Sequence, residues 1–284
     1  MLNNKQLVGM GIDIVTVIVI LCGDRNMSGI EWTQKVWNPV TGCSKVSPGC
    51  KNCYAERMSK RLKAMGVEAY KDGFEVRTHE DRLKMPMKWN SPRLVFVNSM
   101  SDLFHEKVSD EFKFQVFKTM MSCDQHTYQI LTKRPAEMAD FITDFLYDPR
   151  SGFTDDNRIL PQHIWLGVSI ESDNFKHRIY SLLRAKCISR FLSCEPLLGP
   201  ISDMPFTMDY GDTGIDWVIV GGESGPGSRP IREEWVYDIQ DQCRIAGVPF
   251  FFKQWGGTNK KKAGNLLGGV KCMEVPESLQ RFFT

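Results

Sequence analysis

The feature that most constrains the fold is a repeated alternation of short apolar runs with segments of helical period. The runs are nearly continuous in β-branched and aromatic residues, as strands covered on both faces of a sheet should be. These runs lie at Leu94–Asn98, Tyr128–Thr132, His163–Ser169, Arg190–Cys194, Asp216–Gly221 and Val248–Lys253. The helical segments lie at 53–65, 109–122, 135–147, 174–186 and 232–246. Alternating β and α units predict an α/β fold with a parallel sheet, either an open doubly wound sheet or a full or partial barrel.

Polar residues follow the end of every predicted strand. They lie at 98–102, 132–134, 169–171, 194–196, 222–224 and 253–255. Loops after the carboxyl ends of parallel strands meet at one mouth, whereas an open sheet carries function only at its switch point. Six such loops therefore favour a partial (β/α) barrel. A further short strand at Ile30–Thr33 is predicted to open the barrel.

Chain length and charge fit one domain and exclude two classes of protein. A single α/β barrel over residues 28–284 accounts for most of the 284 residues, of which 42% are hydrophobic and 25% charged. The formal net charge of +2 excludes a purely electrostatic nucleic-acid binder but leaves room for a local basic groove. No window approaches the roughly 18 apolar residues that span a bilayer, so we expect no membrane association.

Residues 1–27 are predicted to be an N-terminal extension, with three interpretations. The β-branched run Ile12–Leu21 is consistent with a strand added to a sheet edge, or with a targeting segment. In the third interpretation the natural start is Met27, and the upstream residues derive from a mis-called start codon.

The cysteines indicate the chemistry. An odd number of cysteines, nine, at irregular spacing argues against a secreted disulfide framework and favours a reducing, cytoplasmic location. Cys43, Cys50 and Cys53 read C-x6-C-x2-C, with glycine and proline residues that allow the thiols to converge.

Three cysteines on one loop are what a 4Fe–4S cluster needs when its fourth iron stays open. Zinc is the alternative metal, but a structural zinc site requires a fourth ligand, such as the distant His79, His105 or Cys194. Ordinary buried thiols are the third interpretation.

Long motifs in this sequence resemble those of the phage Gp37/Gp68 family, a domain of unknown function, over about residues 28 to 276. The motifs are Ile30–Thr33, Trp37–Cys43, Ser47–Glu56, Phe96–His105, Gln129–Pro135, Trp165–Ser169, Arg190–Pro200, Val220–Gly227 and Pro249–Gly256. Members of that family typically start near Met27, which favours the mis-called start. They often lie beside a gene for a three-Cys-motif partner protein, so the resemblance implies such a partner.

The family is loosely similar to radical S-adenosylmethionine enzymes, which implies S-adenosylmethionine as a second cofactor at the open iron. This sequence departs from the usual pattern, because six residues rather than three separate the first two cysteines. In addition, Asn52 stands where an aromatic residue usually precedes the third cysteine, and Gly-Gly-Glu ends a late strand rather than the second. The predicted cofactor-binding residues are Asn98, Ser99, Glu195, Gly221, Gly222, Glu223 and Ser224.

Four side chains at the mouth are candidate catalytic residues: Asp102, His105, Lys133 and Glu195. Asp102 and His105 suit acid–base or ligand roles, and Lys133, beside Arg134, suits a carboxylate or phosphate. For each, the alternative is structural, as a cap, an ion pair or a buried histidine.

Basic residues cluster at two places, after the cysteine loop and near the C-terminus, and an aromatic side chain accompanies the second cluster. They are Arg57, Lys60, Arg61, Lys63, Lys253 and Lys260–Lys262, with Trp255 among the latter. Such a surface can follow a nucleic-acid backbone and stack a base, although charge runs are usually solvated faces. The sequence favours an iron–sulfur enzyme that modifies a nucleotide or nucleic-acid base. The alternative is a non-catalytic zinc- or cluster-binding phage protein that acts through a protein partner.

Overall fold

The computed structural model describes residues 30–154, 158–207 and 214–283, so the predicted extension 1–27 lies outside the described residues. Seven parallel strands form one curled half-barrel sheet, in which spatial order follows chain order. The strands are β1 (Lys35–Trp37), β2 (Leu94–Val97), β3 (Thr127–Thr132), β4 (Leu160–Ser169), β5 (Cys187–Cys194), β6 (Trp217–Gly221) and β7 (Phe250–Gln254). The predicted partial barrel is confirmed.

Helices connect most of the consecutive strands of the sheet, and one short helix follows the last strand. They are α1 (Tyr54–Ala64), α2 (Asp110–Ser122), α3 (Pro135–Tyr147), α4 (His177–Arg184), α5 (Glu233–Ala246) and the short α6 (Lys260–Ala263). The Ser109 hydroxyl caps α2 by accepting the Phe112 N–H, and Gly247 ends α5 in the left-handed region, at φ 68°. Two small antiparallel ribbons join Val40–Thr41 to Arg77–Thr78 and Leu266–Leu267 to Val270–Lys271. No helix among the described residues is long and apolar enough to cross a membrane.

The predicted strand at Ile30–Thr33 is wrong, and the first strand lies at Lys35–Trp37. Residues 30–33 form a turn that Thr33 closes by donating its N–H to the Ile30 carbonyl at 3.3 Å. Hydrophobicity misleads here because Trp32 packs into the barrel interior, 4.7 Å from the Phe96 ring centroid. The strand itself begins with a lysine that is 8% exposed and whose ammonium lies over the Trp89 ring. The six other predicted strands and the five predicted helices are confirmed to within three residues at each end.

Strand residues alternate between two apolar clusters, as a period of two requires. One set packs against the helices, as Val95, Val97 and Ile164 do. The other set faces the barrel interior and includes Phe96, Trp165, Phe191, Trp217 and Phe251. Among the described residues, no side chain of helices α1–α5 belongs to this interior cluster. Gly167 also belongs to the interior, because any Cβ there would collide with the Phe191 ring.

The C-terminal segment closes the barrel at the amino ends of the strands. Glu274 accepts the Trp217 indole N–H at 2.9 Å through its backbone carbonyl, and the Phe282 carbonyl accepts the Gln34 amide at 2.9 Å. Leu279 and Phe282 complete the interior cluster. The amino end is thus filled by apolar side chains, which leaves the carboxyl end as the mouth.

Candidate functional site

The cysteine loop follows β1 and lies across the carboxyl ends of the strands. It begins at Gly42, whose φ of +84° favours glycine and whose missing side chain lets the Glu75 carbonyl approach. The Gly42 N–H donates to the Met100 carbonyl at 3.1 Å, which joins the loop to the segment after β2. The loop ends at Cys53, where α1 begins. Cys43, Cys50 and Cys53 are all half-buried free thiols.

Arg134, which follows β3, holds the start of the loop. Its Nη1 donates to the Cys43 sulfur at 3.6 Å, and its Nη2 donates to the Ser44 hydroxyl at 2.8 Å. The guanidinium is 5% exposed and pairs with Asp102, with Nη1 3.3 Å from Oδ2. Burial raises the pKa of the Cys43 thiol to about 11, with the Asp102 carboxylate adding to the rise and Arg134 opposing it.

Asp102 organises this corner of the mouth. Its Oδ1 accepts the Thr132 hydroxyl at 2.7 Å and the Phe104 N–H at 3.0 Å, while its Oδ2 accepts the Lys133 N–H at 3.1 Å. The carboxylate therefore ties the end of β3 to the segment after β2. With its oxygens engaged in this way, Asp102 acts in this structure as an anchor for Arg134.

His105 contacts the same corner of the mouth through Ser44 of the cysteine loop. Its Nδ1 accepts the Lys107 N–H at 3.1 Å, so its Nε2 carries the proton and faces the Ser44 hydroxyl at 2.8 Å. The ring is 1% exposed, and its burial, followed by the Arg134 charge, lowers the pKa of His105. The structure thus joins Asp102 and His105 through Arg134 and Ser44.

Glu171, after β4, holds the middle of the loop. The side chain is fully buried, and its Oε1 accepts the Ser47 hydroxyl at 2.6 Å. The Lys133 ammonium and the Arg178 guanidinium lie 3.7 and 3.6 Å from the same oxygen. Gly49 is needed for this approach, since a Cβ there would overlap the Glu171 carboxyl group. The second oxygen, Oε2, is buried and has no hydrogen-bond partner among the described residues.

Glu223, after β6, holds the end of the loop. Its Oε2 accepts the Asn52 amide at 2.9 Å, and both oxygens accept N–H groups of Arg229. Burial raises the pKa of Glu223, but the Arg229 and Asn52 hydrogen bonds outweigh it and bring the pKa down to about 2. Arg229 also donates to the Pro48 carbonyl at 3.0 Å, which makes a second link to the loop.

A second ion pair lies at the mouth between the ends of β5 and β7. The Lys253 ammonium lies 2.7 and 2.9 Å from the two Glu195 carboxylate oxygens. Both side chains are partly exposed, at 13% and 22%. Gly221, on the strand between them, lies beside the pair, and a Cβ there would stand 3.5 Å from the Glu195 carboxyl carbon, an ordinary van der Waals contact. Among the carboxylate residues predicted for the site, Glu195 is therefore the most exposed, at 22% against 8% for Asp102 and 4% for Glu223.

The remaining predicted residues have clear local roles. Asn98 adopts a left-handed φ of 61°, and its side-chain oxygen accepts the Val40 N–H at 3.2 Å. The Ser99 hydroxyl donates to the Asn38 side chain at 3.2 Å, and the Ser224 hydroxyl bonds Gln254. Gly222 must be glycine because a Cβ there would overlap the Trp255 carbonyl. Cofactor binding by these residues stays a prediction.

The donor chemistry of the loop fits a metal centre with thiolate ligands. Three half-buried free thiols lie on one loop, and two of them have hydrogen-bond partners, Arg134 for Cys43 and the Ser47 hydroxyl for Cys50. A four-iron cluster takes each thiolate on a different iron, so it requires wider spacing than one tetrahedral ion. Within the described ranges, no three His, Cys, Asp or Glu side chains form a set spaced for a single ion.

Several functional contacts escaped the sequence interpretation. The sequence identifies Glu171 as a polar residue at a strand end but does not assign it to the site, and it does not assign Asn52, Ser47 or Arg229 to the site either. Their contacts join residues up to 181 positions apart. The one signal in the sequence was the presence of Glu171 after a predicted strand, since such residues converge at the mouth.

No curated protein matches the chain. Among solved structures, spore photoproduct lyase with a dinucleoside spore photoproduct is 13% identical, with a TM-score of 0.38 over 61% of this chain. A cysteine-to-serine mutant of spore photoproduct lyase is also 13% identical, with a TM-score of 0.41 over 70% of this chain. This chain spans 48% and 58% of those two chains.

A family model matches most of the chain and agrees with the extent expected from the sequence motifs. The match runs over residues 27–276, which include the three cysteines and all seven strands. This family model does not bear the Gp37/Gp68 name, so membership of the Gp37/Gp68 family stays a prediction. The chain belongs to the family described as protein of unknown function, DUF5131.

Proposed function

We propose that this chain is an iron–sulfur enzyme of the radical S-adenosylmethionine type that modifies a nucleotide or a nucleic-acid base. The observation that carries the proposal is the placement of the cysteine loop. Three half-buried free thiols lie on one loop, and buried charged residues after β3, β4 and β6 anchor that loop across the mouth of a parallel half-barrel.

Cys43, Cys50 and Cys53 would hold a 4Fe–4S cluster with one iron free of protein ligands. When bound, the cluster and S-adenosylmethionine together supply one-electron cleavage of the sulfonium to a 5′-deoxyadenosyl radical. The protein's part is to orient the bound groups and keep water from them. The apolar interior, closed at its amino end by Leu279 and Phe282, supports that role.

Among the predicted cofactor residues, Glu195 is the best placed to meet a ligand. Its carboxylate is partly exposed and shares one ammonium, that of Lys253, whereas Glu223 already accepts four N–H groups. A ligand ammonium or hydroxyl can therefore approach Glu195 without breaking an anchor of the loop. Asn98, Ser99, Gly221, Gly222 and Ser224 stay predicted contacts at neighbouring strand ends.

A nucleotide substrate is supported by two ammonium groups at the mouth. Lys133 and Lys253 are each paired with a carboxylate and partly exposed, so they can turn toward a phosphate oxygen. Among the described residues, the Arg57 guanidinium does not face a carboxylate in this way. It donates to the Ser224 and Pro226 carbonyls and so holds α1 against the loop that follows β6. Arg61 and Lys63 remain exposed on α1 and form part of the predicted basic surface.

Metal content and spectra of the anaerobically purified chain test this proposal. We expect about four irons and four sulfides per chain, and an electron paramagnetic resonance signal of the reduced protein that changes when S-adenosylmethionine is added. A signal that does not change when S-adenosylmethionine is added would contradict the enzyme assignment. One tightly held zinc and no cluster after reconstitution would favour the alternative, a metal-binding protein that acts through a partner such as the three-Cys-motif protein.

A further inference from the structure

The three thiols of the cysteine loop have different surroundings. Cys43 accepts an N–H from a buried guanidinium, with Arg134 Nη1 3.6 Å from the sulfur. Cys50 has a neutral partner, the Ser47 hydroxyl, at 3.7 Å. In the described structure, neither Cys50 nor Cys53 accepts a hydrogen bond from a charged side chain. One corner of the predicted cluster therefore differs electrostatically from the other two.

Arg134 is held in place by more contacts than an ion pair alone would need. Asp102 binds its Nη1, the Ser44 hydroxyl binds its Nη2, and Glu106 lies 3.5 Å from its Nε. Asp102 and Ser44 are in turn fixed by Thr132 and His105. Residues that hold a hydrogen-bond donor in this way orient it toward a metal ligand and influence the properties of the metal. The network points one N–H at one sulfur.

We propose that Arg134 raises the reduction potential of the cluster by donating a charge-assisted hydrogen bond to Cys43. This inference rests on the proposed function. Reduction adds one electron, and therefore one negative charge, to the cluster and its three thiolates. A fixed N–H donor withdraws electron density from the thiolate, and the guanidinium charge stabilises the more negative state. Arg134 is a positioning and tuning residue, with no contact to substrate implied.

Two variants remove the hydrogen bond without changing the net charge of the corner. Arg134→Lys keeps a cation beside Asp102 but loses the planar fork that reaches Cys43 and Ser44 together. The double variant Asp102→Asn with Arg134→Gln removes both members of the buried pair, so neither charge is left unpaired. Lys133→Arg is the matched control. It replaces lysine by arginine at the adjacent residue, where no described contact joins the side chain to a cysteine.

Each full-length protein is purified anaerobically, its iron and sulfide are measured, and it is titrated with dithionite in the presence of redox mediators. Visible absorption and electron paramagnetic resonance report the fraction reduced. We expect a more negative midpoint potential in Arg134→Lys and in the double variant, at unchanged iron content, and the wild-type potential in Lys133→Arg.

Three outcomes would overturn the inference. They are an unchanged potential in both variants, an equal shift in Lys133→Arg, and loss of the cluster from both variants while circular dichroism shows an intact fold. The last would mean that Arg134 retains the loop rather than tuning the potential. A wild-type chain that holds no iron–sulfur cluster would overturn the proposed function as well, so the two failures are distinguishable.

Discussion

Replacement of Glu171 tests whether a buried carboxylate anchors the cysteine loop. Glu171→Gln keeps the shape of the side chain but removes the charge that faces Ser47, Lys133 and Arg178. The Ser47 hydroxyl, 2.6 Å from Oε1, then donates to a neutral amide oxygen instead of a carboxylate, and the Arg178 side chain, 4% exposed, loses the one carboxylate that pairs with it among the described residues. Losing one partner of such a buried pair costs about 3 kcal/mol, which includes a charged hydrogen bond of about 1.5–3 kcal/mol.

A loss of that size is easily measured. For a chain of this length it lowers the melting temperature by about 6–12 °C. Urea unfolding of Glu171→Gln gives the change in free energy, and the rate of metal loss to a chelator reports on the loop. Glu68→Gln is the control, since that carboxylate lies on the surface beside Lys71 and should leave the urea midpoint unchanged.

Two results would refute the reasoning. A wild-type urea midpoint in Glu171→Gln would mean that the buried contacts do not stabilise the fold. A lower midpoint with an unchanged rate of metal loss would mean that Glu171 supports α4 rather than the cysteine loop.

Three other predictions concern the same end of the barrel. The pKa of Glu223, about 2 in the folded chain against an ordinary 4.5, means that its contribution to stability, roughly 3 kcal/mol, is present above pH 4.5 and lost as the pH falls toward 2. The difference in unfolding free energy between wild type and Glu223→Gln should shrink over that range; a constant difference would contradict it. Gly49→Ala should cost about 1–3 kcal/mol in urea unfolding because the new methyl overlaps the Glu171 carboxyl group, and an unchanged midpoint would show that the loop can move aside. Burial raises the pKa of the Cys187 and Cys243 thiols to about 12, so peptide mapping after iodoacetamide treatment of the folded, metal-free chain should find them unmodified while Cys50 and Cys53 react.

The fold was predictable because its signal is local. Continuous apolar runs such as Leu94–Val97 and Trp217–Gly221 mark strands covered on both faces, and helices between them leave few topologies open. The same reliance on local apolar residues misplaces the first strand, because the strand contains Lys35 whereas the apolar Trp32 lies just before it. Here a tertiary contact, the burial of Trp32 against Phe96, decided the boundary.

The candidate site was predictable in outline but not in its contacts. The spacing of Cys43, Cys50 and Cys53 located the loop, and the strand-end rule located Asp102 and Glu195. Glu171 and Arg229 act through partners more than 120 residues away in the chain, which no local pattern encodes.

The predicted cofactor residue Asn98 shows how a polar residue at a strand end can also serve the backbone. It adopts a left-handed φ, which asparagine tolerates better than most residues, and its amide oxygen caps the Val40 N–H. A sequence motif cannot separate these two roles.

The central claim is that Cys43, Cys50 and Cys53 together hold a 4Fe–4S cluster. The most direct test is the iron and sulfide content of anaerobically purified wild type, of Cys43→Ala, Cys50→Ala and Cys53→Ala, and of Cys272→Ser as a control at another half-buried free thiol. We predict about four irons and four sulfides in wild type and in the control, and loss of both from each of the three alanine variants. Undiminished iron in any of those variants, or one zinc in place of iron in wild type, would contradict the account.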